Sequence, residues 1–174
     1  MHLPYWMSKE LWACELEGSV LEQGHVIMAD RGRLLGRVEA WDLDVSRSFA
    51  EACATRACKG AAALLGQASA SREADELMAA ETTKERGAVA GGLGGRFDPP
   101  LSHALGYAAD ACHFAPTDDP ALAGFVTAHA AGMGAAEGGH DDEAFLAGAR
   151  TERELQARWL ISHLGLDREA PASF

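Results

Sequence analysis

The stretch Asp42–Gly66, DLDVSRSFAEACATRACKGAAALLG, decides the fold. Phe49, Cys53, Ala57, Gly60 and Leu64 recur every three or four residues, the spacing that lines one face of an α-helix. Asp42 or Asp44 provides an N-cap before this run and Gly66 a stop after it, so a long helix to about Leu65 is expected. Most of the stripe is small. A helix with such a face packs closely against its neighbours, and each residue buries little area.

Toward the C-terminus, Ser71 caps a second predicted helix, Arg72 to about Arg86. The run GAVAGGLGGRFDPP over 87–100 follows. Glycine permits positive φ and raises unfolded-state entropy, so this segment is expected to be a mobile loop. Three more helices are predicted: from Asp98-Pro99 to about Phe114, from Asp119-Pro120 to about Glu137, and from Asp141 to Leu164. The second start pairs an N-cap with proline at the first helical position, and the last helix stops at Gly165-Leu166.

Toward the N-terminus the period changes. Leu11–Glu17 alternates, with Trp12, Cys14 and Leu16 on one side, and Gly18-Ser19 reads as a turn. Val20–Glu22, His25–Ala29 and Arg33–Trp41 continue a meander, broken at Gln23-Gly24 and Asp30-Arg31-Gly32. Three short strands are barely stable alone, so their apolar face is expected to dock on helices. The predicted class is α+β, mainly α: a small N-terminal antiparallel sheet packed on a bundle of about five helices. Within a single domain, 1–174, the parts are a β-meander (1–41), two helices (42–86), the glycine-rich loop (87–100), three helices (101–166) and a tail (167–174).

The bulk properties agree. A chain of 174 residues removes roughly 70% of its unfolded surface from water on folding. The 48% apolar and 24% charged fractions are those of a globular protein. The net charge of −11 repels phosphate and anionic membranes; Arg31, Arg33 and Arg37 make only a short basic strip. Cys14, Cys53, Cys58 and Cys112 form no CxxC or metal-finger pattern. On a helix, Cys53 and Cys58 diverge by about 140°. Free, mostly buried thiols suit a cytoplasmic protein. Met1–Trp6 predicts no signal peptide, and no run of apolar residues is long enough for a membrane span.

Most motifs fail on detail. In 87–100, Arg96-Phe97 stands where a phosphate loop needs Lys-Ser/Thr, and Phe97 where a dinucleotide fingerprint needs glycine. His140-Asp141-Asp142-Glu143 reads as a helix start, where the macrodipole favours acids. No metal or cofactor is expected. One observation is sharper: Glu152, Gln156 and His163 lie within the apolar stripe of the last helix, with Phe145, Ala149, Trp159 and Leu160. His129 lies in the apolar face of the preceding helix, with Leu122, Phe125, Val126 and Met133. Buried polar groups must be satisfied, so a cluster of His129, Glu152 and Gln156 is expected, as a register-fixing network or as a ligand site. His103, Tyr107, Asp110 and Phe114 share a second face of the third predicted helix. Trp6, Trp12 and Trp41 bracket the sheet. They read as staples between sheet and helices or, for Trp12 and Trp41, as a partner surface.

Two stretches carry a resemblance. Leu11–Gly18 leading to Arg31–Leu35 and Val38–Trp41, together with Thr151–Leu160 closing on Leu164-Gly165-Leu166, resemble small alanine-rich helical proteins of high-GC bacteria. No activity comes with that resemblance, which spans about a third of the chain. Ala128-His129-Ala130-Ala131 is similar to the alanine- and histidine-rich helices of bacterial immunity proteins, and no residue role follows from it. The expected function is a non-catalytic, cytoplasmic protein-interaction or regulatory role, with another protein, basic in charge, as partner. The alternative is a small-molecule- or metal-binding helical enzyme using the His129/Glu152 cluster, with the histidine as base or ligand.

Overall fold

The computed structural model describes residues 10–23, 26–117, 119–136 and 141–166. Trp6, His25, His140 and the tail at 167–174 lie outside the described residues. The chain is α+β and mainly helical: β1 (Trp12–Gln23) and β2 (Val26–Arg37) pair antiparallel, followed by α1 (Leu43–Gln67), α2 (Ser71–Ala79), α3 (Thr83–Gly94), α4 (Leu101–Phe114), α5 (Pro120–Ala135) and α6 (Asp142–Leu164).

Local chemistry sets the helix ends. The Asp42 carboxylate accepts the Val45 N–H at 2.8 Å, Asp119 accepts that of Leu122 at 3.2 Å, and Asp141 that of Ala144 at 2.9 Å. Gly165 adopts φ 63°, and the Leu166 N–H closes on the Ile161 carbonyl at 3.0 Å, a Schellman stop. Helix α4 starts later than expected: Pro100 is its N-cap and provides no side-chain acceptor.

Two expectations are corrected. Residues 87–100 are not a loop through their length, because Thr83–Gly94 is helical. A capping box starts α3: the Thr82 hydroxyl accepts the Glu85 N–H at 3.2 Å, and the Glu85 carboxylate accepts the Thr82 N–H at 3.0 Å. One of its glycines, Gly87, serves contact rather than freedom. A Cβ there would lie 2.9 Å from the Cys112 Cβ, closer than side chains ordinarily come. Packing on α4 thus overrides a poor helix propensity. The second predicted helix is correspondingly short, ending where Ala80 turns extended (ψ 127°).

The second correction replaces the β-meander with one hairpin. Gly18-Ser19 is a bulge, not a turn: the register slips between Glu17 and Val20, Gly18 takes φ 85°, and the Asp30 carboxylate accepts the Ser19 N–H at 2.9 Å. The strands therefore run straight through two of the three points where breaks are expected, Gly18-Ser19 and Asp30–Gly32, and part only after Gln23.

Helix α1 is central and touches every other helix. Phe49, Ala50, Cys53, Ala54, Ala57, Cys58, Ala61 and Leu65 are buried along it. The sheet packs against the helices at its root. There Leu11 and Val38 join the core, and Trp41, 1% exposed, sets its ring edge-on to Phe49 at 6.2 Å. Phe49 in turn meets Trp159 at 5.5 Å. Trp41 is therefore a staple and presents no surface to a partner.

Helices α5 and α6 approach through glycine. A Cβ on Gly148 would sit 2.6 Å from the Ala131 carbonyl oxygen, and one on Gly132 would sit 2.6 Å from the Phe145 ring. Gly148→Ala is expected to destabilise the fold by about 1–3 kcal/mol through overpacking. Gly60→Ala, with open space around the new methyl, should stabilise it by about 0.5–1 kcal/mol. Urea unfolding of both variants checks the pair, and the prediction fails if the two shifts share a sign.

Candidate functional sites

Two places hold most of the side chains that sequence reasoning singled out: the interior between α1, α5 and α6, and the hairpin.

In the interior, Glu152 and Gln156 face inward from successive turns of α6, and both are buried. Gln156 Nε2 donates to Glu152 Oε1 and to the Gly124 carbonyl of α5, each at 2.9 Å. The third partner comes from α1. Arg56 Nε donates to both Glu152 oxygens at 3.0 and 3.2 Å, and Arg56 Nη2 lies 2.9 Å from Oε1. This two-pronged pairing is the strong form of a charge-assisted contact. Arg56 Nη2 also reaches Cys53 Sγ at 3.3 Å. Burial pushes the Cys53 thiol up to about 12, against the lowering effect of Arg56, so it stays protonated and poorly nucleophilic near neutral pH.

Sequence reasoning missed Arg56, although a signal existed. Seven residues after Phe49, it lies within about 20° of that side chain around the helix axis, so it projects from the middle of the α1 stripe. A buried Glu152 required a cation, and Arg56 was the charged residue on the facing stripe.

His129 is placed differently. Its Nδ1 lies 3.1 Å from the Phe125 carbonyl, one turn back, and its ring packs among Phe125 at 4.1 Å, Tyr107 at 5.5 Å and Phe145 at 5.6 Å. No hydrogen bond joins it to Glu152 among the described residues. The polar cluster is Arg56–Glu152–Gln156–Gly124, with His129 in an aromatic box on the same helix pair. Gln156 Oε1 is buried without a hydrogen-bond partner among the described residues. Because both bonds of Nε2 go to acceptors, the amide orientation is fixed by its network.

His163, expected in the inward stripe, is exposed and stacks on Trp159 at 3.7 Å. His103 and Asp110 are exposed on α4, and Tyr107 turns to His129 instead. Among the described residues, no group of three or more His, Cys, Asp or Glu is placed to hold a metal ion, and no helix is long and apolar enough to cross a membrane.

The hairpin has two unlike faces. Its alternation puts Trp12, Cys14 and Leu16 of β1 on one side, where Leu34 lies opposite Cys14. Met28 shares this side with Leu34 by strand parity, and Leu21 lies opposite Met28. All these side chains are exposed, Trp12 by 45% and Leu34 by 66%. The sheet meets the helices at its root, through Leu11 and Val38, and this face beyond the root stays open. The other side carries a charge ladder: Glu15–Arg33 at 2.7 Å and Glu17–Arg31 at 3.7 Å. At the root, Glu10 holds Arg37 and the Trp12 indole N–H, both at 3.2 Å. The Arg31, Arg33 and Arg37 strip is thus neutralised in place by glutamates.

The interior network makes a stability prediction. Arg56→Met leaves the Glu152 carboxylate buried without its cation, and a loss of about 3 kcal/mol is expected. Arg56→Met combined with Glu152→Leu should recover most of that loss, because no buried charge remains. Denaturant unfolding of the single and double variants checks this, and equal losses in both would contradict it.

Comparison of the chain with protein-family models, with curated proteins and with solved structures finds no match, so its function has to be read from its own geometry.

Proposed function

We propose that this chain is a cytoplasmic protein-interaction or regulatory protein whose docking element is the β1–β2 hairpin. The observation that carries the reading is the open apolar face of that hairpin. A two-stranded ribbon is marginal in water unless a further strand or another surface covers its apolar side. Here the helices hold only the root, and Trp12, Leu16, Leu21, Met28 and Leu34 face solvent. A contiguous patch of this kind, containing tryptophan and rimmed by the charges of Glu10 and Arg37, has the composition of a binding hot spot.

Charge supports a basic protein as the partner. The ribbon's own arginines are engaged by Glu10, Glu15 and Glu17. The residues beyond Gly60 hold 17 acids against 8 bases. A partner with an apolar centre and a basic rim is steered in by that field and then held by the ribbon. Four free cysteines, one of them exposed, fit a reducing compartment.

The test uses the full chain and a Leu16→Glu/Leu34→Glu variant, both checked for unchanged helical circular dichroism. A basic partner recovered with the parent chain should bind the variant roughly 30-fold more weakly. Its association rate should fall as salt rises, with a smaller change in dissociation. Equal affinity for parent and variant would remove the hairpin from the reading, and salt-independent association would remove the basic partner.

A further inference from the structure

We propose that Cys58 and Cys112 form a buried dithiol that a peroxide closes to a disulfide, with the glycine-rich helix α3 as the cover that opens to admit it. The two cysteines come from α1 and α4, are both buried, and place their sulfurs 3.4 Å apart. A disulfide needs the sulfurs at about 2.05 Å, so closure asks for a relative movement of about 1.4 Å between two helices already in contact. Of the four cysteines, these two alone have a sulfur partner, since Cys53 is held against Arg56 and Cys14 is exposed.

The surroundings divide the roles. The hydrogen bond from Cys112 draws the Cys58 thiol below its ordinary range against the opposing effect of burial, and the Arg86 guanidinium adds to the lowering. That same hydrogen bond and burial push Cys112 up. Arg86 is fixed nearby by donating to the Thr55 hydroxyl at 3.3 Å and the Ala80 carbonyl at 3.0 Å. Cys58 is the attacking sulfur and Cys112 the resolving one.

The chemistry balances with hydrogen peroxide as the two-electron oxidant. The Cys58 thiolate attacks one peroxide oxygen; an S–O bond forms, the O–O bond breaks, and hydroxide leaves and is protonated to water. The Cys112 sulfur then attacks the Cys58 sulfur, forming the S–S bond, while the S–O bond breaks and hydroxide leaves with the Cys112 proton as a second water. Two thiols lose two electrons and two protons, and the peroxide is reduced to water.

Access runs through α3. Arg86 and Gly87 belong to this helix, and Gly87 lies directly over Cys112: a Cβ there would stand 2.9 Å from the Cys112 Cβ. Gly87, Gly91, Gly92 and Gly94 fall within its twelve residues, and each weakens the helix roughly fivefold relative to alanine. The helix that seals the dithiol is thus intrinsically ready to open locally, which exposes buried groups without global unfolding.

The test uses the full chain carrying Cys14→Ser, which removes the exposed thiol. Under native conditions with hydrogen peroxide, intact mass should fall by two hydrogen atoms. A peptide linking the Cys58 and Cys112 segments should appear, and dithiothreitol should reverse both. The thermal midpoint should rise by roughly 5–15 °C in the oxidised form. Cys58→Ser or Cys112→Ser should abolish the mass loss, whereas Cys53→Ser should leave it intact. Gly91→Ala/Gly92→Ala, which meets open space or ordinary contact, should slow closure roughly 25-fold. Oxygen addition in place of mass loss, or closure only in denaturant, would overturn the dithiol. A rate unchanged by the two alanines would overturn α3 as its cover.

Discussion

The smallness of the α1 side chains is the constraint on which the rest of the structure depends. Ala50, Ala54, Ala57, Ala61 and Ala62 let one helix touch the other five, because axes approach closely only where little side chain stands between them. Larger residues at these positions would push away one neighbour or another. Close approach has a consequence: alanine removes little apolar area from water, and the hydrophobic gain scales with that area. The few large side chains in the interior then matter disproportionately. Trp41, Phe49 and Trp159 form a continuous edge-to-face run from the sheet root across α1 to α6, and this run joins the hairpin to the helical body.

The helical body was legible in the sequence where capping chemistry is local. Asp42, Asp119-Pro120, Asp141 and Gly165 mark their ends by geometry that only neighbouring backbone is needed to satisfy. The glycine-rich segment was misread because its glycines have two physical readings. Alone they mean freedom; under α4 they mean contact, as Gly87 against Cys112 illustrates. The Thr82–Glu85 capping box points the other way, to a helix that runs through the first four of the segment's five glycines. The hairpin was misread for a related reason. Gly18-Ser19 has turn composition, yet the left-handed residue was needed for a bulge, and its partner Asp30 lies eleven residues from Ser19.

The sites divide along the same line. Glu152 and Gln156 could be placed in the interior from the α6 wheel alone, although the same wheel also turned inward His163, which near the helix end is exposed. The stripe position of Arg56 made it a candidate partner, but choosing it depends on which helices meet. Arg56 lies 96 residues from Glu152, and Cys58 lies 54 from Cys112. His129 is a further case. Its position on an apolar face is as expected, but a histidine there can satisfy itself on its own helix, and it does so through the Phe125 carbonyl.

The buried Arg56–Glu152–Gln156 network is better understood as a register device than as a source of stability. Taking both charges out of water costs nearly as much as their attraction returns, so the net gain is small. Sliding α6 by one turn would be costly: Glu152 would lose Arg56, and Gln156 would lose the Gly124 carbonyl. Phe145 would also leave the hollow at Gly132, and Gly148 would leave the Ala131 backbone, which no larger residue can approach so closely. Polar pairing and steric fit therefore select the same alignment independently. In a bundle whose alanine faces would pack almost equally well one turn up or down, that agreement supplies the energy gap between the native arrangement and its shifted neighbours.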